Sequence, residues 1–306
     1  MTTLAFEHKN VARVRQTIQG FGMDTITLAG PLGAKLDAIQ QAGFSQVMLK
    51  ANDFVGHPQG FKAGVAEFKS SGLRGTGFQV LRDFEGLSGD LHAYKVDIAK
   101  SMLDMCSALG CDVLLACSST SVHASSDRDH IASDLRKLAI LAIPYGIKIA
   151  YEALSWGRTI NEFSDAWDVI SRADCPNLGI GLDSFHIFAS KTQLEELNFL
   201  APHKIFLVQL ADFLWQEAPT FEDRRTTART FRVFPGEGVH SPDLKALVLK
   251  LEDLGYGGDY SFEVFNDDYQ QMALETVAQR GQRSAIWLAD EVLRRNVPSL
   301  KEMRLR

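Results

Sequence analysis

Residues 147–153 read IKIAYEA, a short apolar run that closes on a carboxylate, Glu152. Three later runs do the same: LGIGLD ends at Asp183, KIFLVQ at Gln209 and DYSFE at Glu263. Apolar runs of this length are what fully buried parallel strands look like, because both faces of such a strand are covered. A carboxylate or amide at the C-terminal end of a buried strand opposes burial unless it is paired or binds a cation. One such residue could be chance. Four on consecutive strand candidates imply one place where strand ends converge on a divalent ion.

The same alternation fills the rest of the chain. Strands are expected near Asp24–Leu28, Gln46–Leu49, Gly75–Leu81, Asp112–Cys117, Ile147–Ala153, Leu178–Leu182, Ile205–Leu210 and Tyr260–Val264. Amphipathic segments with helical spacing lie between them. The clearest are LHAYKVDIAKSMLDMCSALG (91–110) and SPDLKALVLKLEDLGYG (241–257), each with a Gly suited to a left-handed C-cap. Ser241 is the expected N-cap of the second, with Pro242 at its first helical position. Eight strand–helix units most economically close into a (β/α)8 TIM barrel, expected here as one domain over residues 1–306. An open doubly wound sheet is the alternative, weakened because no G-x-G-x-x-G follows the first strand. Residues 213–240 are the longest irregular connection, and a loop of that length is usually a lid or binding loop.

Size and charge narrow the partners. A chain of 306 residues, 45% hydrophobic, suits a one-domain α/β barrel. A net charge of −6 argues against nucleic acid as the main partner, since phosphate neutralisation needs a basic stripe. No apolar stretch approaches a membrane span, and MTTLAFEHKN lacks the pattern of a secretory signal. Cys106, Cys111, Cys117 and Cys175 form no C-x-x-C pair, so they read as reduced, mostly buried thiols of a cytoplasmic protein.

On a barrel, side chains at the C-terminal strand ends share one mouth. Glu152, Asp183, Gln209 and Glu263 are hard oxygen donors suited to Mg2+ or Mn2+, with Co2+ or Zn2+ as further options. The absence of His and Cys among them argues against a structural zinc site. Strand-end ion pairs or helix caps would explain any one of the four equally well. His186, three residues after Asp183, is either a base beside the metal or a core histidine held by a backbone carbonyl. Arg82 and Arg232 could grip a substrate carboxylate, or pair at the surface with Asp83, Glu85 or Glu237. Trp156 and Phe185 could wall a ring substrate or simply be core.

Several stretches together narrow these options: FQVLRDFEG (78–86), CSS (117–119), YEALSWGR (151–158), GLDSFHIFASKT (181–192), IFLVQLAD (205–212) and FRVFPGEG (231–238). In this order they resemble the 3-dehydroshikimate dehydratases, a group within the xylose-isomerase-like, metal-dependent TIM barrels. The resemblance runs from about Thr25 to the last helix. It implies a lyase of quinate and shikimate catabolism that converts a carboxylated cyclohexenone to protocatechuate. A divalent ion on Glu152, Asp183, Gln209 and Glu263 would chelate the ketone and the adjacent hydroxyl. His186 would remove the proton of the carbon between them, the β-hydroxyl would leave as water, and Arg82 and Arg232 would orient the carboxylate.

Two departures stand out. Relatives tend to carry EIFEND where this chain has Met48, Leu49, Lys50, Ala51, Asn52 and Asp53, and a Ser where it has Ala228. Some carry an additional C-terminal domain. The superfamily's barrels often pair, which leaves a homo-oligomer open. A keto-sugar epimerase of the same superfamily is the rival reading, with Glu152 and Glu263 as both metal ligands and the acid/base pair. Such epimerases typically place His where this chain has Gln209, and a neutral sugar needs no arginines. A related repair endonuclease would need more His ligands and a basic surface. A catalytically silent barrel is the remaining alternative, opposed by the intact DSFH element.

Overall fold

The structure, a computed structural model, describes residues 17–295. The segment MTTLAFEHKN and both limits of the expected 1–306 domain lie outside the described residues. Eight parallel strands close into a barrel: β1 (Phe21–Asp24), β2 (Gln46–Lys50), β3 (Arg74–Arg82), β4 (Val113–Cys117), β5 (Lys148–Glu152), β6 (Leu178–Asp183), β7 (Ile205–Leu210) and β8 (Tyr260–Phe262). Each pairs with its neighbours in chain order, and β8 closes the ring on β1.

The pleat sorts the strand residues into two cores. Met48, Val113, Leu115, Cys117, Ala150 and Leu207 fill the barrel interior. The alternate residues, such as Leu114, Ile149 and Val208, pack outward against the helices. β6 shows why its sequence reads LGIGLD. A side chain at Gly179 would strike the Lys204 carbonyl and the Phe206 ring, so the small residues stand where the interior is already filled. The next position on that face is Asp183.

The surrounding helices are α1 (Leu32–Gln41), α2 (Ala51–Val55), α3 (Phe61–Ser70), α4 (Gly89–Leu109), α5 (Arg128–Ala142), α6 (Phe163–Ala173), α7 (Ser184–Ser190), α8 (Phe221–Thr230), α9 (Ser241–Asp253) and α10 (Leu274–Trp287). α6 shows how sequence sets the contact: Phe163, Ala166, Val169, Ile170 and Ala173 recur on one face and are its buried residues. α4 stops at Gly110, which adopts the left-handed conformation expected of it. No helix among the described residues is long and apolar enough to cross a membrane.

Three expectations need correction. The first strand is Phe21–Asp24, so it ends where Asp24–Leu28 was expected to begin. Residues Thr25–Thr27 form a 3-10 turn whose hydroxyls replace ladder partners: Thr25 Oγ1 accepts from Lys50 N at 3.0 Å, and Thr27 Oγ1 accepts from Val264 N at 3.0 Å. The N-cap of α9 is His240 rather than Ser241, whose hydroxyl is drawn to Asp212 Oδ2 at 3.0 Å. Finally, residues 213–240 are not irregular. They contain α8, started by a Thr220–Asp223 capping box, and Arg232–Val233 pairs antiparallel with Asp212–Phe213.

Candidate active site

The ends of β5, β6, β7 and β8 bring the four expected oxygen donors together. Asp183 and Gln209 are cross-strand partners, Gln209 lies opposite Ser261, and Glu152 lies opposite Gly181. Ligand atoms of Glu152, Asp183 and His186 lie within 4.8 Å of one another. Asp183 and Glu263 meet on a single guanidinium nitrogen, Nη1 of Arg232, at 2.6 and 3.2 Å. Burial raises the pKa of Glu152, with Asp183 and Glu263 adding to it, and burial also raises that of Asp183. Burial lifts Glu263 to about 7. Three buried carboxylates against one guanidinium leave two negative charges when all are ionised, an arrangement that a divalent cation neutralises.

Two buried oxygens supply a direct test of that fit. Oε1 of Glu152 and Oε1 of Gln209 have no hydrogen-bond partner among the described residues. An orphaned buried acceptor costs about 1–3 kcal/mol. Hard oxygen donors with open lone pairs are what Mg2+ or Mn2+ binds. Gln209 is turned so that Nε2 donates to Asp24 Oδ2 at 2.8 Å, which leaves its oxygen as the open atom. Asp24 also accepts from Gln79 Nε2 at 3.0 Å and from Ser261 Oγ. Its carboxyl is itself raised well above the usual range by burial, then by Glu263. Asp24 therefore orients the Gln209 amide and is absent from the four expected residues. The available signal was a fourth acidic residue at a strand end, FGMD.

His186 opens α7, one turn after Asp183, which caps that helix by accepting from Phe185 N at 2.8 Å. Burial, then Arg232 and Arg82, hold the imidazole well below its usual range. It is neutral near pH 7, so its 3.7 Å approach to Asp183 is not an ion pair. Nδ1 accepts from the Ser155 backbone N–H at 3.1 Å, which puts the ring proton on Nε2 and keeps Nε2 from ligating a cation. Ser155 Oγ, 3.0 Å from Nδ1, can accept from Nδ1–H in the other tautomer, which frees Nε2 as a base.

Above these residues lies a cavity of about 190 Å3, lined by Glu152, Glu263, His186, Trp156, Arg82 and Arg232 among others. Neither arginine pairs with Asp83, Glu85 or Glu237. Asp83 accepts from Thr120 N at 2.7 Å, Glu85 accepts from Ser119 N and Tyr151 Oη, and Glu237 holds Arg280 at 2.8 Å. The RDFEG segment thus anchors the loop that follows Arg82, the last residue of β3, whose guanidinium donates to no described residue. Arg232 is 2% exposed and committed below, with Nε on the Ala228 carbonyl at 2.9 Å. Trp156 lines the cavity and packs edge-on against His186, ring centres 5.0 Å apart. Phe185 corrects the expectation of a substrate wall: it is fully buried, outside the cavity lining, beneath the Arg232 guanidinium at 4.7 Å.

The departures at Met48 and Ala228 fall at different depths. Met48 stands inside the barrel with its sulfur 3.9 Å from Gln209 Nε2, whereas Ala228 lines the cavity. Lys50 donates its backbone N–H to Thr25, and Asp53 pairs with Lys35 at 2.8 Å. All four cysteines are free, and Cys117 Sγ donates to Glu152 Oε2 at 3.0 Å.

Comparison with known proteins finds relatives in sequence and in fold. The chain is 37% identical to a 3-dehydroshikimate dehydratase of Pseudomonas aeruginosa over 281 residues, which is 90% of this chain and 43% of that protein. It spans less than half the length of that relative. An inosose isomerase of Bacillus licheniformis is 29% identical over 64% of this chain and 69% of its own length. A solved xylose isomerase-like TIM barrel/4-hydroxyphenylpyruvate dioxygenase fusion protein superposes with a TM-score of 0.82 at 33% identity, covering 91% of this chain and 44% of that one. Residues 36–290 match the family described as xylose isomerase-like TIM barrel, and the chain belongs to that family.

Proposed function

We propose that this chain is a divalent-metal-dependent hydro-lyase that converts 3-dehydroshikimate, or a closely related cyclic hydroxy-ketone acid, to an aromatic diol acid. The observation that carries the reading is the pair of open buried oxygens, on Glu152 and Gln209, in the same strand-end cluster as a neutral imidazole, with Glu152 and His186 lining one small cavity. Similarity to the dehydratase of Pseudomonas aeruginosa supports the reaction class.

Glu152, Asp183, Gln209 and Glu263 would hold the ion. A divalent cation so bound supplies Lewis-acid polarisation of a carbonyl oxygen. His186 would take the proton from the carbon beside that carbonyl at Nε2 once its ring hydrogen moves to Nδ1, where Ser155 Oγ would accept it in place of the contact from the Ser155 backbone N–H. The β-hydroxyl would depart as water, carrying away a proton delivered from the imidazolium. Transfer of a ring CH2 proton to the former ketone oxygen would then give the aromatic diol. Arg232 would keep Asp183 and Glu263 apart and oriented, while Arg82 would meet the substrate carboxylate.

A second reading has its own observation. Glu152 and Glu263 line the same cavity, as an acid/base pair of a keto-sugar isomerase would, and the inosose isomerase similarity fits it. Against it, an uncommitted arginine has no partner on a neutral polyol. The deciding experiment incubates the protein with Mg2+ or Mn2+ and 3-dehydroshikimate while following aromatic absorbance. A rise that needs the ion is expected. No rise with any of several divalent ions removes the dehydratase reading, and epimerisation of an inosose in the same buffer would establish the second.

A further inference from the structure

The upper wall of the cavity carries donors that have no acceptors. Arg82 and Arg229 both line it, close enough for the charge of Arg82 to act on Arg229, and neither guanidinium donates to a described residue. Arg229 lies 5.9 Å over the Trp156 ring, and that tryptophan's indole N–H is itself buried with no acceptor. Two like charges in one partly enclosed space repel, and an orphaned buried N–H is costly. An anionic oxygen group relieves both at once. Burial, then Arg82, then Arg225 push the Arg229 pKa down, which is the response of a guanidinium that lacks an anion.

Arg229 comes from α8, the helix inserted between β7 and β8. Arg224 on the same helix ties it to the β5 loop by donating to the Ser155 carbonyl at 3.1 Å, and Trp215 Nε1 holds Thr227 at 3.0 Å. The helix is therefore fixed against the residue that orients His186. Its register places Arg229 at the rim while Ala228 and Thr227 are buried.

We infer that Arg229, together with Arg82 and the Trp156 N–H, forms the carboxylate-recognition site of this cavity, so that specificity for an acid over a neutral diol is set from α8. This rests on the proposed dehydratase reading and adds a residue to it. Because Arg229 is solvent-accessible, its contribution is discounted for screening to about a tenfold preference.

The test measures binding of 3,4-dihydroxybenzoate and of catechol by calorimetry, on the Mn2+-supplied protein, for the unaltered chain and for Arg229→Gln. The two ligands share the vicinal diol and differ in the carboxylate. The unaltered chain is expected to prefer the acid by tenfold or more. Arg229→Gln is expected to cut that preference at least fivefold with catechol affinity unchanged, which shows that the diol end is intact. An unchanged preference in Arg229→Gln, or no preference in the unaltered chain, overturns the inference. Failure of the dehydratase reading shows separately, as absence of turnover of 3-dehydroshikimate while the acid preference persists.

Discussion

The floor and the rim of the cavity are built with opposite deficits. At the floor, buried carboxylates and an amide oxygen outnumber the donors that could satisfy them, and two oxygens are left open. At the rim, guanidinium and indole N–H groups outnumber acceptors. Each deficit would destabilise a barrel that only needed to fold. Together they describe a ligand by its complement: a cation below, and a small molecule with chelating oxygens at one end and an anion at the other. That outline is compatible with the carboxylated hydroxy-ketone proposed as substrate.

The contrast can be broken most severely at His186, which touches the floor without belonging to the ligand set. His186→Ala is expected to lower kcat by about a thousandfold, or ~4 kcal/mol of barrel-bound catalysis. Its Mn2+ affinity should persist, and loss of the metal in that variant would make His186 a ligand instead.

Glu85 supplies the control, a carboxylate buried as deeply as those of the floor but outside it. Burial lifts its pKa to about 7 from an ordinary 4.5. The folded state therefore holds the proton more tightly than the unfolded one. The stability it contributes is complete below about pH 4.5 and is lost as pH rises through about 7. Glu85→Gln is expected to match the unaltered chain in denaturant unfolding near pH 4.5 and to exceed it at pH 8 by at most about 3 kcal/mol. A difference that stays flat across this range contradicts the assignment, and Mn2+ should leave the difference unaltered.

Orientation of the floor is tested at Asp24. Asp24→Asn places an amide against the Gln209 amide and removes the preference for Nε2 on that side, so Mn2+ affinity should fall about 10–100-fold in a titration. Unchanged affinity would leave Asp24 as packing alone. The smallest effect is expected at the exposed end: Arg82→Gln should raise KM about tenfold with kcat nearly kept, since a positioning contact made equally in ground and transition states acts on binding. An unchanged KM would place Arg82 outside the pocket.

Much of the floor was legible because burial and charge conflict visibly in a sequence. Runs such as KIFLVQ and LGIGLD are too apolar to tolerate a terminal polar residue without cause, and the barrel supplies the convergence. Asp24 was hidden by Thr25–Thr27, whose β-branched residues imitate strand continuation while their hydroxyls terminate it. The rim was legible only at Arg82, which closes a strand. Arg229 sits in FEDRRTTART, a helix with no apolar periodicity to announce it; its one local mark is the Thr220–Asp223 capping box. Arg232 reads from sequence as a substrate contact, yet its place beneath the carboxylates depends on Asp212–Phe213 pairing with Arg232–Val233, a contact between segments that no local pattern specifies.

The most direct measurement is a Mn2+ titration of the purified chain by electron paramagnetic resonance, beside the Glu152→Gln/Asp183→Asn double variant. The account predicts one tightly held ion per chain, lost in the double variant while circular dichroism shows the barrel intact. Absence of stoichiometric binding, or equal binding by the double variant, would contradict it.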